Sequence, residues 1–161
     1  MKKKNNKLQK LRKRVNNLND EKVEIGHFQE QGKHSGSDLP YPDLMAIHHF
    51  GLGGQLPRQL LTLLVLQNRK LTDPKFDALM KVWANSRLFQ TDNEKLLSGF
   101  GKVFVKKEKE LFGKAQGNLM PPTQSKKRVG VEGPHAPLVD TGELKSKVAF
   151  KTSIKNQVEE E

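Results

Sequence analysis

The sequence predicts an α+β fold, in which helices pack on one face of a small antiparallel or mixed sheet and a basic amphipathic helix forms the N-terminus. Residues 23–28 alternate apolar and polar residues as a half-buried strand does, and residues 148–153 are predicted to close the fold as a second strand. The segments between them have helix-start signals and a helical spacing of apolar residues. A strand, several helices and a second strand, in that order, favour helices collected on one face of a sheet.

Length and composition indicate the domain organisation. A chain of 161 residues is the size of one ordinary domain with one core. We expect a basic arm over residues 1–20, a single domain over 21–154 and an acidic tail over 155–161. The chain has no cysteine, which excludes a disulfide framework and a zinc site with thiolate ligands.

The apolar runs of the chain are short. The longest, residues 60–66 and 100–105, fall far below the roughly 20 residues that a membrane-spanning helix needs. The N-terminus also lacks the apolar region of a signal peptide. We therefore expect a soluble intracellular protein without a membrane partner.

The net charge of +11 is concentrated in the N-terminal arm. The rest of the chain has 21 basic and 18 acidic residues, so it is close to neutral. Such an arm would bind phosphates, acidic protein surfaces or anionic lipid about equally well. The cations that we expect to contact an anionic partner are Lys2, Lys3, Lys4, Lys7, Lys10, Arg12, Lys13 and Arg14.

Apolar residues within the arm recur at helical spacing. They form the seam of an amphipathic helix and are Leu8, Leu11, Val15 and Leu18. We interpret the seam as a packing face that docks on the domain or on a neighbouring subunit. A helix in a DNA groove has less support, because no cluster of Asn, Gln and Arg for reading base edges is obvious.

The first half of the domain is predicted to contain one strand and one short helix. Residues 23–28 alternate as a half-buried strand does, and residues 32–36 form a polar loop or hairpin turn. Tyr41-Pro42-Asp43 opens a short helix over residues 44–50, and Gly51 ends it. Its buried face is predicted to carry Leu44, Ile47 and Phe50.

The middle of the chain is predicted to be mainly helical. Residues 51–57, rich in glycine, mark a loop, and the apolar residues 60–66 form either a strand or a buried helix. Thr72-Asp73-Pro74 is a good helix start. Thr91 and Glu94 have the spacing of a capping box and introduce a longer helix that runs through Leu111.

Glycines and prolines divide the last third of the chain. Gly99 and Gly101 either weaken the long helix or permit close packing. Pro121-Pro122 end the helical region, and a basic loop at residues 126–128 leads to Asp140-Thr141-Gly142. Residues 148–153 then form the last strand.

The segment Asp140-Thr141-Gly142 supports two interpretations. After two apolar residues it resembles the active-site loop of a retroviral-type aspartic protease, which needs two carboxylates sharing a proton across a dimer axis. Only 19 residues follow Gly142, however, which is too few for the rest of such a lobe. We favour a structural turn in which Asp140 or Thr141 is the N-cap of a short helix and Glu143 suits its positive end.

Motifs of other common chemistries are absent from the sequence. No phosphate-binding loop, dinucleotide fingerprint or nucleophile elbow occurs. His48 and His49 are adjacent, and adjacent helix positions point about 100° apart, which is a poor geometry for holding one ion. We therefore expect no metal, no cofactor and no enzymatic activity.

Two groups of motifs carry a family resemblance. The first is Val-Glu-Ile-Gly-His-Phe at 23–28, Leu-Met-Ala-Ile-His-His-Phe-Gly at 44–51 and Leu-Pro-Arg at 56–58. The second is Pro-Pro at 121–122, Lys-Lys at 126–127, Pro-Leu-Val-Asp-Thr-Gly-Glu-Leu at 137–144 and Val148. Together, in this order, they resemble the minor tail or tail-completion family of long-tailed bacteriophages, which is similar to the virion morphogenesis proteins of Mu-like phages.

The resemblance implies a structural virion protein. Such proteins form a ring, commonly a homo-hexamer, at the head-tail junction or the head-proximal end of the tail, after assembly in the host cytoplasm. Portal or adaptor proteins and tail-tube or tail-terminator proteins would be its neighbours, and DNA would pass through the lumen. The residues expected to contact neighbours are Leu8, Leu11, Val15, Leu18, Phe50, Gly51, Leu56, Pro57 and Arg58.

The second hypothesis is a nucleic-acid-binding protein that acts through the basic arm. It rests on the same eight cations and on the positive net charge. The two hypotheses differ in whether assembly survives when residues 2–14 are deleted.

Overall fold

The fold is built on a three-stranded antiparallel sheet. The computed structural model describes residues 9, 10, 12, 13, 16, 17, 20–69, 92–121, 138 and 142–160. Strands β1 (Val23–Gly26), β2 (Ala149–Thr152) and β3 (Glu159–Glu160) lie in the order β1-β2-β3. In the β1-β2 register Val23 lies opposite Thr152, and Gly26 lies opposite Ala149. The predicted α+β class is confirmed, with an antiparallel sheet.

Four α-helices accompany the sheet in the described part of the chain. They are α1 (Tyr41–Phe50), α2 (Leu60–Arg69), α3 (Asn93–Leu111) and the single turn α4 (Glu143–Ser146). Two short 3-10 segments, Gln29–Gln31 and Leu52–Gly54, lie before and after α1. Helix α3 packs against both β1 and β2 and also contacts α2, so it forms the layer above the sheet.

Helix α1 ends at the predicted residue, but it also includes Tyr41-Pro42-Asp43 and buries a different face. Proline in its first turn and a left-handed glycine after its last residue define the two ends. Tyr41 and Met45, one turn apart, are buried, whereas Phe50 is exposed. The predicted burial of Phe50 is therefore wrong, because the face that carries Tyr41 is the one that meets the rest of the domain.

Helix α2 resolves the ambiguous apolar segment as a helix. Leu60, Leu63 and Leu64 are buried at the spacing of one helical face, while Val65 and Leu66 are exposed. The apolar run at residues 60–66 therefore has one face in the core and another face exposed to solvent.

Helix α3 extends to Leu111 as predicted, but its N-cap is not the predicted residue. Its N-cap is Asp92, whose side chain accepts a hydrogen bond of 2.9 Å from the backbone N–H of Lys95. The predicted capping box at Thr91 and Glu94 is therefore wrong by one residue. The helix ends at Leu111, and an isolated bridge between Gln116 and Met120 follows, so the helical region ends well before Pro121.

Gly101 allows α3 to approach the sheet closely. A Cβ at Gly101 would lie 2.2 Å from Cδ2 of Phe150, far inside van der Waals contact. Phe150 on β2 is fully buried, as are Val105 and Val148 around it. Of the two predicted roles for this glycine, close packing is the one that the structure bears out.

The C-terminal residues include a third strand. Residues 155–161 were expected to form an acidic tail, yet Glu160 pairs with Ala149 in the sheet. Its carboxylate accepts hydrogen bonds from Gln31 and Lys147. A neutral amide and a lysine ammonium from neighbouring segments thus hold Glu160 on the sheet edge.

Several sequence predictions lie outside the described residues. They are the arm seam Leu8, Leu11, Val15 and Leu18, the arm cations at 2, 3, 4, 7 and 14, the helix start at 72–74, the basic loop at 126–128, and the side chains of Asp140 and Thr141. The described arm residues 9, 10, 12, 13, 16 and 17 have helical backbone and are exposed.

Candidate interaction surface

The connection between α1 and α2 folds back tightly on the end of α1. Gly51 has φ 69°, and a Cβ there would lie 2.7 Å from the backbone oxygen of Gln55 and 2.8 Å from the nitrogen of Pro57. The backbone N–H of Arg58 donates a hydrogen bond of 2.7 Å to the carbonyl of His48. Glycine is required at this position because both the conformation and the space exclude a side chain.

Large apolar side chains project outward from this connection. Phe50 is 69% exposed, Leu52 53% and Leu56 45%. We call these three residues the loop patch. A backbone that is fixed by hydrogen bonds but presents several large apolar groups to solvent is typical of a protein interaction site. Val65 and Leu66 add two more exposed apolar side chains on α2.

The same connection contains a buried arginine next to Leu56. Arg58 is only 6% exposed, and no carboxylate of the described residues forms an ion pair with it. One guanidinium nitrogen contacts the carbonyl of Leu56 at 3.5 Å, while Nε has no hydrogen-bond partner. Burial lowers the pKa of Arg58 from its ordinary value. The site therefore carries a charge that is short of both water and a counter-ion.

Burial and the positive charge of Arg58 both affect the pKa of the nearby His48. Burial lowers the pKa of His48, the Arg58 charge lowers it further, and a hydrogen bond to the side chain of Gln55 partly opposes both. Its Nδ1 has no hydrogen-bond partner, and neither has Nδ1 of His49 next to it. At neutral pH His48 is consequently uncharged, and an anion placed near Arg58 would raise its pKa.

A second polar cluster joins the two halves of the chain around Glu143. Its carboxylate accepts hydrogen bonds from the Ser35 hydroxyl (2.6 Å), from the Ser35 backbone N–H (3.1 Å) and from the Tyr41 hydroxyl. Nε2 of His34 lies 3.7 Å from the carboxylate. The Ser35 and Tyr41 hydrogen bonds lower the pKa of Glu143 to about 2, and burial together with Glu143 raises the pKa of Tyr41 to about 12.

The Glu143 cluster is a structural latch. It fixes the start of α4 against the loop before α1, and Nε2 of His27 adds a hydrogen-bond contact of 2.8 Å with the carbonyl of Leu144. The helix predicted after the Asp-Thr-Gly segment is present, but its N-cap is Gly142 at φ 79°. The prediction that Asp140 or Thr141 is the N-cap is therefore wrong.

The predicted contact residues divide into two groups. Phe50, Gly51, Leu56, Pro57 and Arg58 lie together in the α1-α2 connection, with Arg58 buried rather than on the surface. Of the arm cations, the described Lys10, Arg12 and Lys13 are exposed.

Some residues of the site were missed at the sequence level. Leu52 stands between glycines, and an apolar residue in a glycine-rich loop is a recognisable sign of an exposed contact. The burial of Arg58 has no local signal, because the loop that covers it is irregular.

Glu108 is a second buried charge, located on α3. It is fully buried, and neither carboxylate oxygen has a hydrogen-bond partner in the part of the chain that the structure describes. Burial raises its pKa to about 7. The lone carboxyl is therefore half protonated near neutral pH and requires no cation beside it.

Two further features of the described residues concern membrane-spanning helices and groups of metal-binding side chains. In that part of the chain, no helix combines the length and apolar character needed to cross a bilayer. The same residues contain no group of three histidine, aspartate or glutamate side chains placed to hold a metal ion.

The chain matches no protein-family model, no curated protein and no solved structure.

Proposed function

We propose that the protein is a structural virion component of a tailed bacteriophage, a tail-completion or neck protein that forms a ring at the head-tail junction. The observation that carries this proposal is the loop patch. Three large apolar side chains are exposed on a connection that backbone hydrogen bonds hold in place. The patch lies in the segment that resembles the tail-completion family.

The arrangement of the two resembling segments also supports the proposal. Residues 23–26 of the first segment pair with β2, which directly follows the second. The contact between His27 and Leu144 and the latch at Glu143 add to this pairing. The motifs thus belong to one structural unit, as expected if they specify a common fold.

Assembly is the mechanism in this proposal, and no reaction is catalysed. A ring needs a heterologous interface, in which one surface of each copy meets a different surface of the next. The loop patch supplies apolar area for such a contact, or for contact with portal, adaptor, tail-tube or tail-terminator proteins. The basic arm would face an acidic neighbour or the DNA that passes through the lumen.

Cryo-EM of virions that carry a tagged copy of the chain tests the location. The expected result is density for the tag around the axis between capsid and tail, with unjoined heads and tails when the chain is absent. Purified virions that lack the chain altogether would contradict the proposal.

A nucleic-acid-binding protein is the second candidate, favoured by the exposed Lys10, Arg12 and Lys13 within an arm that has no acid among its first 14 residues. Deletion of residues 2–14 distinguishes the two. If DNA is the target, the deletion removes salt-sensitive DNA retention and function together. If the protein builds a ring, assembly survives the deletion.

A further inference from the structure

Charge is divided unevenly between two stretches that are adjacent in the chain. Residues 20–43 contain six acids and two lysines. From residue 44 to residue 72 there is no acid at all, and the basic residues Arg58, Arg69 and Lys70 lie in this stretch with two histidines. Helix α1 spans the boundary, with an acid in its first turn and the loop patch at its last.

Most carboxylates of the acidic stretch have partners in their own chain. Lys22, Lys33 and Lys151 neutralise three of them, and Ser153 donates to a fourth. Asp20 and Asp43 are exposed, and no hydrogen bond or ion pair of their side chains occurs in the described part of the chain. They are free to reach another molecule.

Arg58 is a buried cation that has no anion beside it among the described residues. A guanidinium remains charged at any physiological pH, so it cannot relieve its burial by losing a proton. Desolvation is offset only by an anion or by enough acceptors, and Nε has none. A carboxylate is the anion that a guanidinium binds best, through two parallel hydrogen bonds.

We propose that Arg58 and the loop patch form a seat for a second copy of this chain, which places a carboxylate of its stretch 20–43 against the guanidinium and covers Phe50, Leu52 and Leu56. The inference rests on the proposed function, since it describes how neighbouring copies in a ring would meet. Because donor and acceptor surfaces differ, the contact is head to tail and can repeat. Apolar anchors around a desolvated arginine have the composition of an interface hot spot.

Sedimentation velocity of the full chain over a concentration series tests the contact. We expect the wild type to associate, and Phe50→Ser and Leu56→Ser each to weaken association at least about 10-fold. Ile154→Ser is the matched control, because Ile154 is 43% exposed, close to the 45% of Leu56, but lies beyond β2. Association that these variants leave unchanged, or none up to ~1 mM, overturns the inference.

Carbodiimide coupling identifies the group that meets Arg58. Arg58→Lys places an amine at the seat, and the reagent joins an amine only to a carboxylate in contact with it, with loss of water. Mixing ¹⁴N- and ¹⁵N-labelled chains shows by mass whether the joined peptides come from different copies. We expect a cross-link between copies from Lys at 58 to Asp20 or Asp43, and none in Arg58→Gln.

Wild-type protein provides a measurement that does not depend on a variant that may fold poorly. NMR titration of His48 should show its pKa rising when the concentration is raised from monomer to oligomer, because a carboxylate arrives beside Arg58. An unchanged titration, a cross-link within one chain, or a cross-link to an acid outside residues 20–43 overturns the inference. If virions contain the ring while the isolated chain fails these tests, the proposed function stands and the seat does not.

Discussion

The layer between α3 and the sheet differs from the α1-α2 connection in how apolar groups and charges are treated. In the first region Phe150 is fully buried against Gly101, and in the second Phe50 is 69% exposed beside Gly51. Both regions bury an ionisable side chain that has no counter-ion among the described residues. In the first region the apolar side chains are buried in the core. In the second region large apolar side chains are exposed beside a buried guanidinium.

The two buried charges differ in how they can be neutralised. Glu108 can take up a proton, and its raised pKa of about 7 means that it does so close to neutral pH. Arg58 has no such option within the physiological range. A buried carboxyl can therefore be tolerated by a closed core, while a buried guanidinium calls for an anion.

The largest expected effect sharpens the contrast between the two phenylalanines. Phe150→Ala should lower the free energy of unfolding by about 3–5 kcal/mol, because it leaves a cavity under α3. Phe50→Ala removes a side chain that is mostly in water and should change it by less than about 0.5 kcal/mol. Urea unfolding of both variants measures the difference, and equal losses would show that the loop patch belongs to the core.

The next effect tests how Glu108 is accommodated. The pKa of Glu108 is higher in the folded chain than the ordinary 4.5. Proton binding by Glu108 therefore stabilises the fold fully below pH 4.5, and this contribution to the free energy of unfolding is lost as the pH rises through about 7. Glu108→Gln should therefore raise the free energy of unfolding by up to about 3 kcal/mol at pH 8 and much less at pH 4.

The control for Glu108 is Glu110→Gln on the same helix. Glu110 is exposed, so its replacement should give little pH-dependent difference. Chemical denaturation at pH 4 and pH 8 provides the comparison. A pH-independent difference for Glu108→Gln would mean that the buried carboxyl has a partner in solution.

The smallest expected loss of stability comes from replacing one glycine by alanine in each region. Gly101→Ala should cost about 1–3 kcal/mol, because the new methyl group meets the ring of Phe150. Gly53→Ala meets nothing within 4 Å, and its φ of 71° alone should cost about 1 kcal/mol. In a Phe150→Leu background the cost of Gly101→Ala should fall, while that of Gly53→Ala should not change. Thermal unfolding of the single and double variants separates the two causes.

Local signals predicted much of the secondary structure. The bounds of α1 follow from its first-turn proline and from Gly51, and β1 and β2 lie within the predicted strands. The start of α3 was misplaced by one residue, because Thr91 and Asp92 are both good caps and only the fold selects between them. The strand β3 was missed because its acids owe their place to Gln31 and Lys147.

By itself the sequence determined the types of β1, α1, α3 and β2, the uneven charge and the glycine-bounded loop that carries the candidate site. These properties depend on residues a few positions apart, whose backbone preferences act locally. Only the tertiary structure decided that Phe50 is exposed, that Arg58 is buried and that Glu143 joins Tyr41 across 102 positions of sequence. Burial and long-range hydrogen bonds depend on which distant segments meet, and no local pattern encodes that choice.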